Sequence, residues 1–419
     1  MRILHTADWH FGRTLDGRSR QAEHEQFVDE LCAIAAAEKV DLVIIAGDVY
    51  DTAGPPAAAE ALYCEALGRL GDGGRRAVVA IAGNHDSPDR LCAVRGLAQE
   101  HGATLFGYPA DDPGPYLPGG DFVRGANRAG RVAAGPGWVE VAVPGVEHSA
   151  VVLALPYPSE GRLKQALAET LAEEELQPLY SAQVSRWLAD RAAHFRPDAV
   201  RLITSHLFVA GGKESPESER PIQVGGAFTV DPSAFPESAQ YVALGHLHRP
   251  QQMEGANTIV RYSGSPLAFS FSEAGYAKSV TLVDVAPNRP AEVREIPLSC
   301  GRPLVRWKAT EGLAQVERWV SEGRDAGAWV DLEIYLTQAL TMDQIQALRR
   351  MHSGLITIRP VFAAGQSEAA ATAERQTHSL QEQFERFFAM KSGGGTPAPE
   401  LVRLFLELVD EAGSEEVQP

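Results

Sequence analysis

Ile44-Ile45-Ala46-Gly47-Asp48-Val49-Tyr50-Asp51 is the stretch that decides the fold. It closes the apolar run Val40-Asp41-Leu42-Val43-Ile44-Ile45, which stops at a glycine and then presents a carboxylate. A short β-branched run bounded in this way is the pattern of a parallel strand buried on both faces. Ligands in open α/β sheets gather beyond the carboxyl ends of the strands, where Asp48 falls. A carboxylate has two oxygens and can bridge two cations, so Asp48 is the candidate centre of a binuclear metal site. Taken alone, Asp48 is more simply a turn aspartate after glycine. The surrounding chain decides between the two.

Upstream, Arg2 to Thr6 has strand character and delivers Asp8 and His10 as D-W-H. Residues at i and i+2 of extended backbone point the same way, so both can face one cation. Gln21 to Glu38 has helical spacing at Phe27, Leu31 and Ile34, completing a β-α-β opening. Downstream, the strand Ala77 to Ala82 ends in Gly83-Asn84-His85-Asp86 and lies between predicted helices at Ala57 to Leu70 and Pro88 to His101. Their apolar stripes (Leu62, Leu67, Leu70; Leu91, Val94, Leu97) serve either the core or an interface with a second copy. Gly107 to Gly137 is rich in Gly, Pro and Asp, as surface excursions are. Strands resume at Trp138 to Val143 and Ala150 to Leu155, followed by a helical stretch, Leu163 to Phe195, with an interruption expected near Pro178. Val200 to Thr204 is a strand ending in Ser205-His206, and the polar Gly211 to Gly226 that follows is a candidate active-site loop. Tyr241 to Leu244 ends in Gly245-His246-Leu247-His248, whose H-x-H pair repeats the one-cation geometry of D-W-H.

The chain of 419 residues has room for two or three domains with sizeable cores. No apolar run is long enough to span a bilayer and no secretory leader opens the sequence, which points to a cytoplasmic protein with no membrane association. Four scattered cysteines (Cys32, Cys64, Cys92, Cys300) form no C-x-x-C pair, so neither a disulfide framework nor a structural zinc cluster is expected. A net charge of −17 weighs against a simple nucleic-acid binder. Cations held by carboxylates would invert that field locally, and a partner can supply the rest of an affinity for DNA. No Walker A sequence is present, so any use of ATP is external.

Asp8, His10, Asp48, Asn84, His206, His246 and His248 together offer seven oxygen and nitrogen donors and no sulfur, enough for two cations sharing Asp48. The set suits Mn, Fe or Zn better than Mg. Two such ions would activate a water and clamp an in-line phosphoryl displacement. His85 would then face the phosphate, stabilising charge or protonating the leaving oxygen, with Asp51 orienting it.

The ordered series D-x-H, G-D-x-x-D, G-N-H-D, a single His and G-H-x-H, each after a strand, resembles the calcineurin-like metallophosphoesterases. The resemblance implies an α/β fold, a β-sandwich flanked by helices. It also implies a ligand set with Asp8, His10 and His248 on one ion, Asp48 bridging, and Asn84, His206 and His246 on the other. His85 with Asp51 takes the catalytic-histidine role. Asp8-Trp9-His10-Phe11-Gly12-Arg13, the loop Glu217 to Gly226, Gly245 to Gln251 and Arg261 to Glu273 further resemble the nuclease subunits of bacterial complexes that trim DNA ends and cut hairpins. That likeness implies manganese, a homodimer and a coiled-coil ATPase partner. A metallophosphoesterase acting on a small phosphoester or cyclic nucleotide is the alternative, against which stand the domains that follow.

A catalytic domain over 1–285 is therefore expected. A small α+β capping domain over 286–364 follows, from the β-α-β-α-β pattern between Leu304 and Phe362. The remainder, 365–419, holds a linker-like stretch (Ala363 to Thr377) and two amphipathic helices joined by Ser392-Gly393-Gly394-Gly395-Thr396-Pro397-Ala398-Pro399. The helices carry Leu380, Phe384, Phe387 and Phe388, then Leu401, Leu404, Phe405 and Leu408, on one face each. Helices this short need a surface to cover, either their own chain or a partner's groove. The resemblance favours the ATPase.

Overall fold

The structure, a computed structural model, describes residues 1–117, 127–159, 173–216, 218–219 and 228–362, and scattered tail positions (381–382, 384–385, 388, 397–399, 401–405). The middle of the Gly107 to Gly137 excursion, the start of the Leu163 to Phe195 helix, most of Glu217 to Gly226 and the linker Ala363 to Thr377 lie outside the described residues. The described residues divide into two compact units: Met1–Arg306 with Asp325–Asp331, and Trp307–Arg324 with Leu332–Pro419.

The first unit is a sandwich of two sheets. Its six-stranded sheet runs in the order Glu292–Pro297, Ser279–Asp284, Arg2–Thr6, Leu42–Ile45, Ala77–Ile81, Ala103–Phe106. The last four strands are parallel. The seven-stranded sheet is ordered Gln251–Gln252, Val260–Tyr262, Tyr241–Gly245, Val200–His206, Ala150–Leu155, Trp138–Ala142, Gly130–Gly135. Its central strands are parallel too. The first unit thus extends through the strand Glu292–Pro297, past the boundary expected at 285.

Alternation explains the apolar run Leu42-Val43-Ile44-Ile45. Leu42 and Ile44 enter the core between the sheets with Ile3, Val79, Val152, Leu202 and Ala243. Val43 and Ile45 point the other way, against Phe27, Leu31, Leu62 and Leu67 of the covering helices Gln21–Ala37 and Ala57–Leu70. On the far side, Tyr180, Val184 and Leu188 of the helix Glu173–Ala192 cover Val151, Leu153 and Ile203. A strand buried on both faces has no polar side, hence the unbroken LVII.

Two expectations change, and one of the two uses open to the apolar stripes is filled. Pro88 to His101 is not one helix: Pro88–Cys92 and Arg95–Ala98 are separated at Val94, whose φ −90°, ψ 6° leaves the helical region, and Gly96 follows. Glu173–Ala192 runs through Pro178 without interruption. The stripe Leu62, Leu67, Leu70 belongs to the core of its own chain, whereas Leu97 is 74% exposed. All four cysteines are free. Among the described residues, no helix is long and apolar enough to cross a membrane.

A three-stranded sheet is ordered Leu304–Ala309, Trp329–Leu336, Leu355–Phe362, and the second unit holds the helices Leu313–Ser321 and Met342–Met351. Thr341 opens the second helix with a reciprocal cap: its hydroxyl accepts from Gln344 N–H, and the Gln344 side chain accepts from Thr341 N–H. In the tail, the rings of Phe384 and Phe405 stack at 4.3 Å. Val402 is buried, while Leu401 and Leu404 are 39% and 51% exposed, so the outward face is not the full stripe read from spacing.

Candidate metal centre

The centre sits where the strands of both sheets end. Past Thr6 and Ile45 the two loops continue the parallel ladder: Asp8 N–H donates to Gly47 O, His10 N–H to Asp48 O and Phe11 N–H to Val49 O, at 3.0, 3.0 and 2.8 Å. This locks D-W-H beside G-D. It also drives Asp8 (φ 56°), His10 (φ 47°) and Asp48 (φ 49°) into the left-handed region, which side chains other than glycine's enter at a cost of about 1–2 kcal/mol each. His246 joins them at φ 109°. The glycines of the motifs leave room for close approach. A Cβ on Gly47 would lie 2.4 Å from His206 Nδ1, on Gly83 2.1 Å from Asp48 Oδ1, and on Gly245 2.0 Å from Ala46 O.

Side-chain donor atoms of Asp8, His10, Asp48, Asn84, His206 and His248 converge, and the His246 ring lies beside that of His206, centroids 5.5 Å apart. Asp48 Oδ2 lies 3.4 Å from His206 Nε2, 3.8 Å from His10 Nε2 and 3.9 Å from His85 Nε2. His10 Nε2 and His248 Nε2 are 3.1 Å apart, and Asn84 Oδ1 is 2.9 Å from His206 Nε2. Asp8 Oδ1 accepts from His246 N–H at 2.9 Å and lies 4.0 Å from His206 Nδ1. Ligand atoms of Asp8, His10 and His248 fall within 4.8 Å of one another, as do those of Asp8, Asp48 and His206, and those of His10, Asp51 and His85.

Hydrogen bonds at Nδ1 fix how two of the rings face. His206 Nδ1–H donates to Ala46 O (2.9 Å) and His85 Nδ1–H to Asp51 O (2.7 Å), leaving each Nε2 turned inward. Asp51 therefore holds His85 through its main-chain carbonyl. Its carboxylate faces His10 Nδ1 (3.5 Å) and Arg13 (3.1 Å) instead, which corrects the expected carboxylate–imidazole pair.

Burial opposes charge here, and the groups compensate in pairs. It works against a charged His206, but Asp48 and Asp8 outweigh it and push that imidazole up to about 9. Asp48 also resists burial, held well below the carboxylate range by His206, His85 and His10. Asp8 is pushed up to about 7 by burial, and burial takes His10 down to about 3 and His246 well below the usual imidazole range. Three buried polar atoms of these donors, Asp8 Oδ2, His10 Nδ1 and His246 Nε2, find no hydrogen-bond partner among the described residues. Buried donors and acceptors are almost always satisfied. Hard oxygens and bare imidazole nitrogens around such atoms fit divalent cations.

Several supporting residues lie inside or just beyond the motifs, whose spacing gives no sign of their role. Asp86, the last residue of G-N-H-D, accepts from the N–H groups of Gly83, Val49 and Tyr50 and so ties two loops together. Burial, and then Asp48, push its carboxyl up to about 7. Ser218, Glu219 and Glu273 likewise stand in the quoted stretches, with Lys278 just beyond, and all four contact His248 or its partners. Phe269 walls the centre beside His10 and His248.

A calcineurin-like phosphoesterase model matches residues 1–250, and the chain belongs to that family. Its relatives narrow the family. The chain is 46% identical over 418 residues to the SbcD component of the SbcCD nuclease of Bacillus subtilis, covering 100% of both chains. It is 39% identical over 316 residues to the component of that name in Rhodobacter capsulatus, covering 74% of this chain and 72% of that one. With the Escherichia coli K12 counterpart it shares 30% over 421 residues, 97% of each. Those identities place it among the SbcD proteins. The centre is accordingly one that binds divalent metal.

Proposed function

We propose that this chain is the manganese-dependent nuclease subunit of a DNA-end-processing complex, cutting duplex ends as an exonuclease and hairpins or single strands as an endonuclease. It is a phosphodiester hydrolase by family. One observation carries the reading of the centre: Asp48 Oδ2 stands within 3.9 Å of three inward-facing imidazole nitrogens drawn from both sheets. In this reading Asp8, His10 and His248 hold one ion, Asn84, His206 and His246 the other, and Asp48 both. When bound, the ions supply the positive charge that activates water and stabilises an in-line displacement at phosphorus. His85, anchored on Asp51 O, turns Nε2 toward the site where it can stabilise the phosphoryl oxygens or protonate the leaving oxygen. An open cleft of about 410 Å³ is lined by Lys213, Arg249 and Glu254; Arg249 is next to His248 in sequence, and the two cations offer contacts to a DNA backbone.

The relatives are SbcD components of SbcCD nucleases, and an SbcC-type ATPase is the partner proposed for this cytoplasmic chain. The exposed Leu401 and Leu404 of the tail are its docking side. A homodimer is proposed through the exposed Leu97 rather than the buried Leu67. The test is purified protein with Mn²⁺ on linear duplex DNA, a DNA hairpin and a nitrophenyl phosphodiester. Degradation of both DNAs is expected. Turnover of the nitrophenyl ester with neither DNA cut would instead assign a small-phosphoester enzyme.

A further inference from the structure

Behind His248, on the side away from the other donors, lies a buried chain of polar side chains: Ser218, Glu273 and Lys278. Lys278 Nζ donates to the Glu273 carboxylate, to Ser265 Oγ (2.9 Å) and to His248 O (3.1 Å). Ser218 Oγ contacts both Glu273 Oε1 and His248 Nδ1, the latter at 2.8 Å. Glu273 Oε1 also accepts Phe269 N–H at 3.0 Å. Glu219 Oε1 accepts His248 N–H at 2.9 Å, so the residue is gripped at its N–H, its C=O and its ring.

The direction of each hydrogen bond follows from what each group can do. An ammonium only donates, and a carboxylate facing it only accepts. Ser218 therefore spends its single proton on Glu273. Only lone pairs remain on Oγ for His248, so Nδ1 must carry the ring proton. A neutral imidazole protonated at Nδ1 is bare at Nε2, the nitrogen that faces His10 Nε2.

We propose that Lys278, Glu273 and Ser218 form a one-way hydrogen-bond relay that fixes the tautomer of His248 and so prepares Nε2 to ligate a cation. Ser218 and Glu273 are positioning residues, acting on the ion only through His248. This rests on the reading of His248 as a ligand. The relay also explains why the quoted stretches around Ser218 and Glu273 belong to one site although the sequence separates them widely.

The test titrates full-length protein with Mn²⁺ alone, following free Mn²⁺ by electron paramagnetic resonance, and records thermal unfolding of each metal-free variant. Ser218→Ala should weaken Mn²⁺ binding roughly 10–100-fold, as loss of a partner behind a ligating histidine does, with metal-free unfolding unchanged. Ser218→Thr keeps the hydroxyl and should restore affinity. Glu273→Gln keeps the shape but sets an amide NH₂ against Lys278 or against Ser218 and Phe269, and should weaken binding as Ser218→Ala does. Long-range ¹⁵N–¹H spectra, with His248→Ala assigning the signal, should show the Nδ1–H form in wild type and lose that preference in Ser218→Ala. Wild-type affinity in Ser218→Ala or Glu273→Gln, or equal losses in Ser218→Ala and Ser218→Thr, overturns the relay. If wild type and His248→Ala bind Mn²⁺ alike, the ligand reading of His248 falls, and the relay with it. If His248→Ala binds weakly while Ser218→Ala binds normally, the relay alone falls.

Discussion

His206 and His248 leave the same sheet at adjacent strand ends, yet they are held by different means. His206 donates Nδ1–H to a main-chain carbonyl, Ala46 O, in the loop before Gly47-Asp48. His85, from the other sheet, does likewise with Asp51 O. His248 instead leans on a hydroxyl, a carboxylate and an ammonium. Groups oriented by backbone are indifferent to most side-chain changes around them but intolerant of any bulk that parts the loops. Groups oriented by side chains are the reverse. The half of the centre built on Gly47, Gly83 and Gly245 should therefore break on adding a methyl, and the half around His248 on removing a hydroxyl.

The largest expected effect is Asp48→Ala, which removes the one carboxylate common to both halves. Metal analysis should find both ions lost, with nitrophenyl phosphodiester hydrolysis at background; retention of one ion would show that the halves do not share Asp48. Next comes His85→Ala. Because His85 is assigned to phosphate rather than metal, ion content should stay near wild type while turnover falls about 10²–10⁴-fold. An emptied site would make His85 a ligand. Gly83→Ala tests the backbone-built half directly. Its Cβ would lie 2.1 Å from Asp48 Oδ1 and 2.3 Å from Asp48 N. Displacement of the order of 1 Å at a catalytic centre costs about 10²-fold, and that loss in turnover should appear in a folded protein. Wild-type turnover would mean that the loops are free to part.

How much of this was legible beforehand follows the same divide. The strand ends were readable because each buried strand stops at a glycine and a polar residue. Asp8, His10, Asp48, Asn84, His85, His206, His246 and His248 all fall at one place. The sandwich was readable from runs such as LVII, which only burial on both faces explains. Roles of supporting residues were not. Nothing in the spacing of Ser218, Glu273 and Lys278 distinguishes a buried relay from solvated polar residues, since the contacts join points far apart in sequence. Helix continuity failed for a related reason: apolar spacing reports which face is buried, and Leu91 and Val94 satisfy it across a break at Val94. The sequence suggests an Asp51 carboxylate on His85 because a sequence names side chains, whereas the group in contact is the main-chain oxygen.

That last difference yields the smallest and most discriminating prediction. Asp51→Asn leaves the main-chain carbonyl, and with it the 2.7 Å hydrogen bond from His85 Nδ1–H, in place. It removes a charge that faces His10 Nδ1 at 3.5 Å and Arg13 at 3.1 Å. The Arg13 pair is partly open to solvent, and pairs of that kind contribute about 1 kcal/mol or less. Asp51→Asn should therefore unfold within about 1 kcal/mol of wild type. Its turnover should fall by less than about tenfold, well short of the loss from removing a general acid, since the histidine keeps its anchor. A carboxylate that oriented His85 through its side chain would give a different result, with Asp51→Asn approaching His85→Ala in turnover and both retaining their ions. Comparing the two variants on one phosphodiester substrate, with metal content measured in each, separates a main-chain anchor from a side-chain one at the same residue.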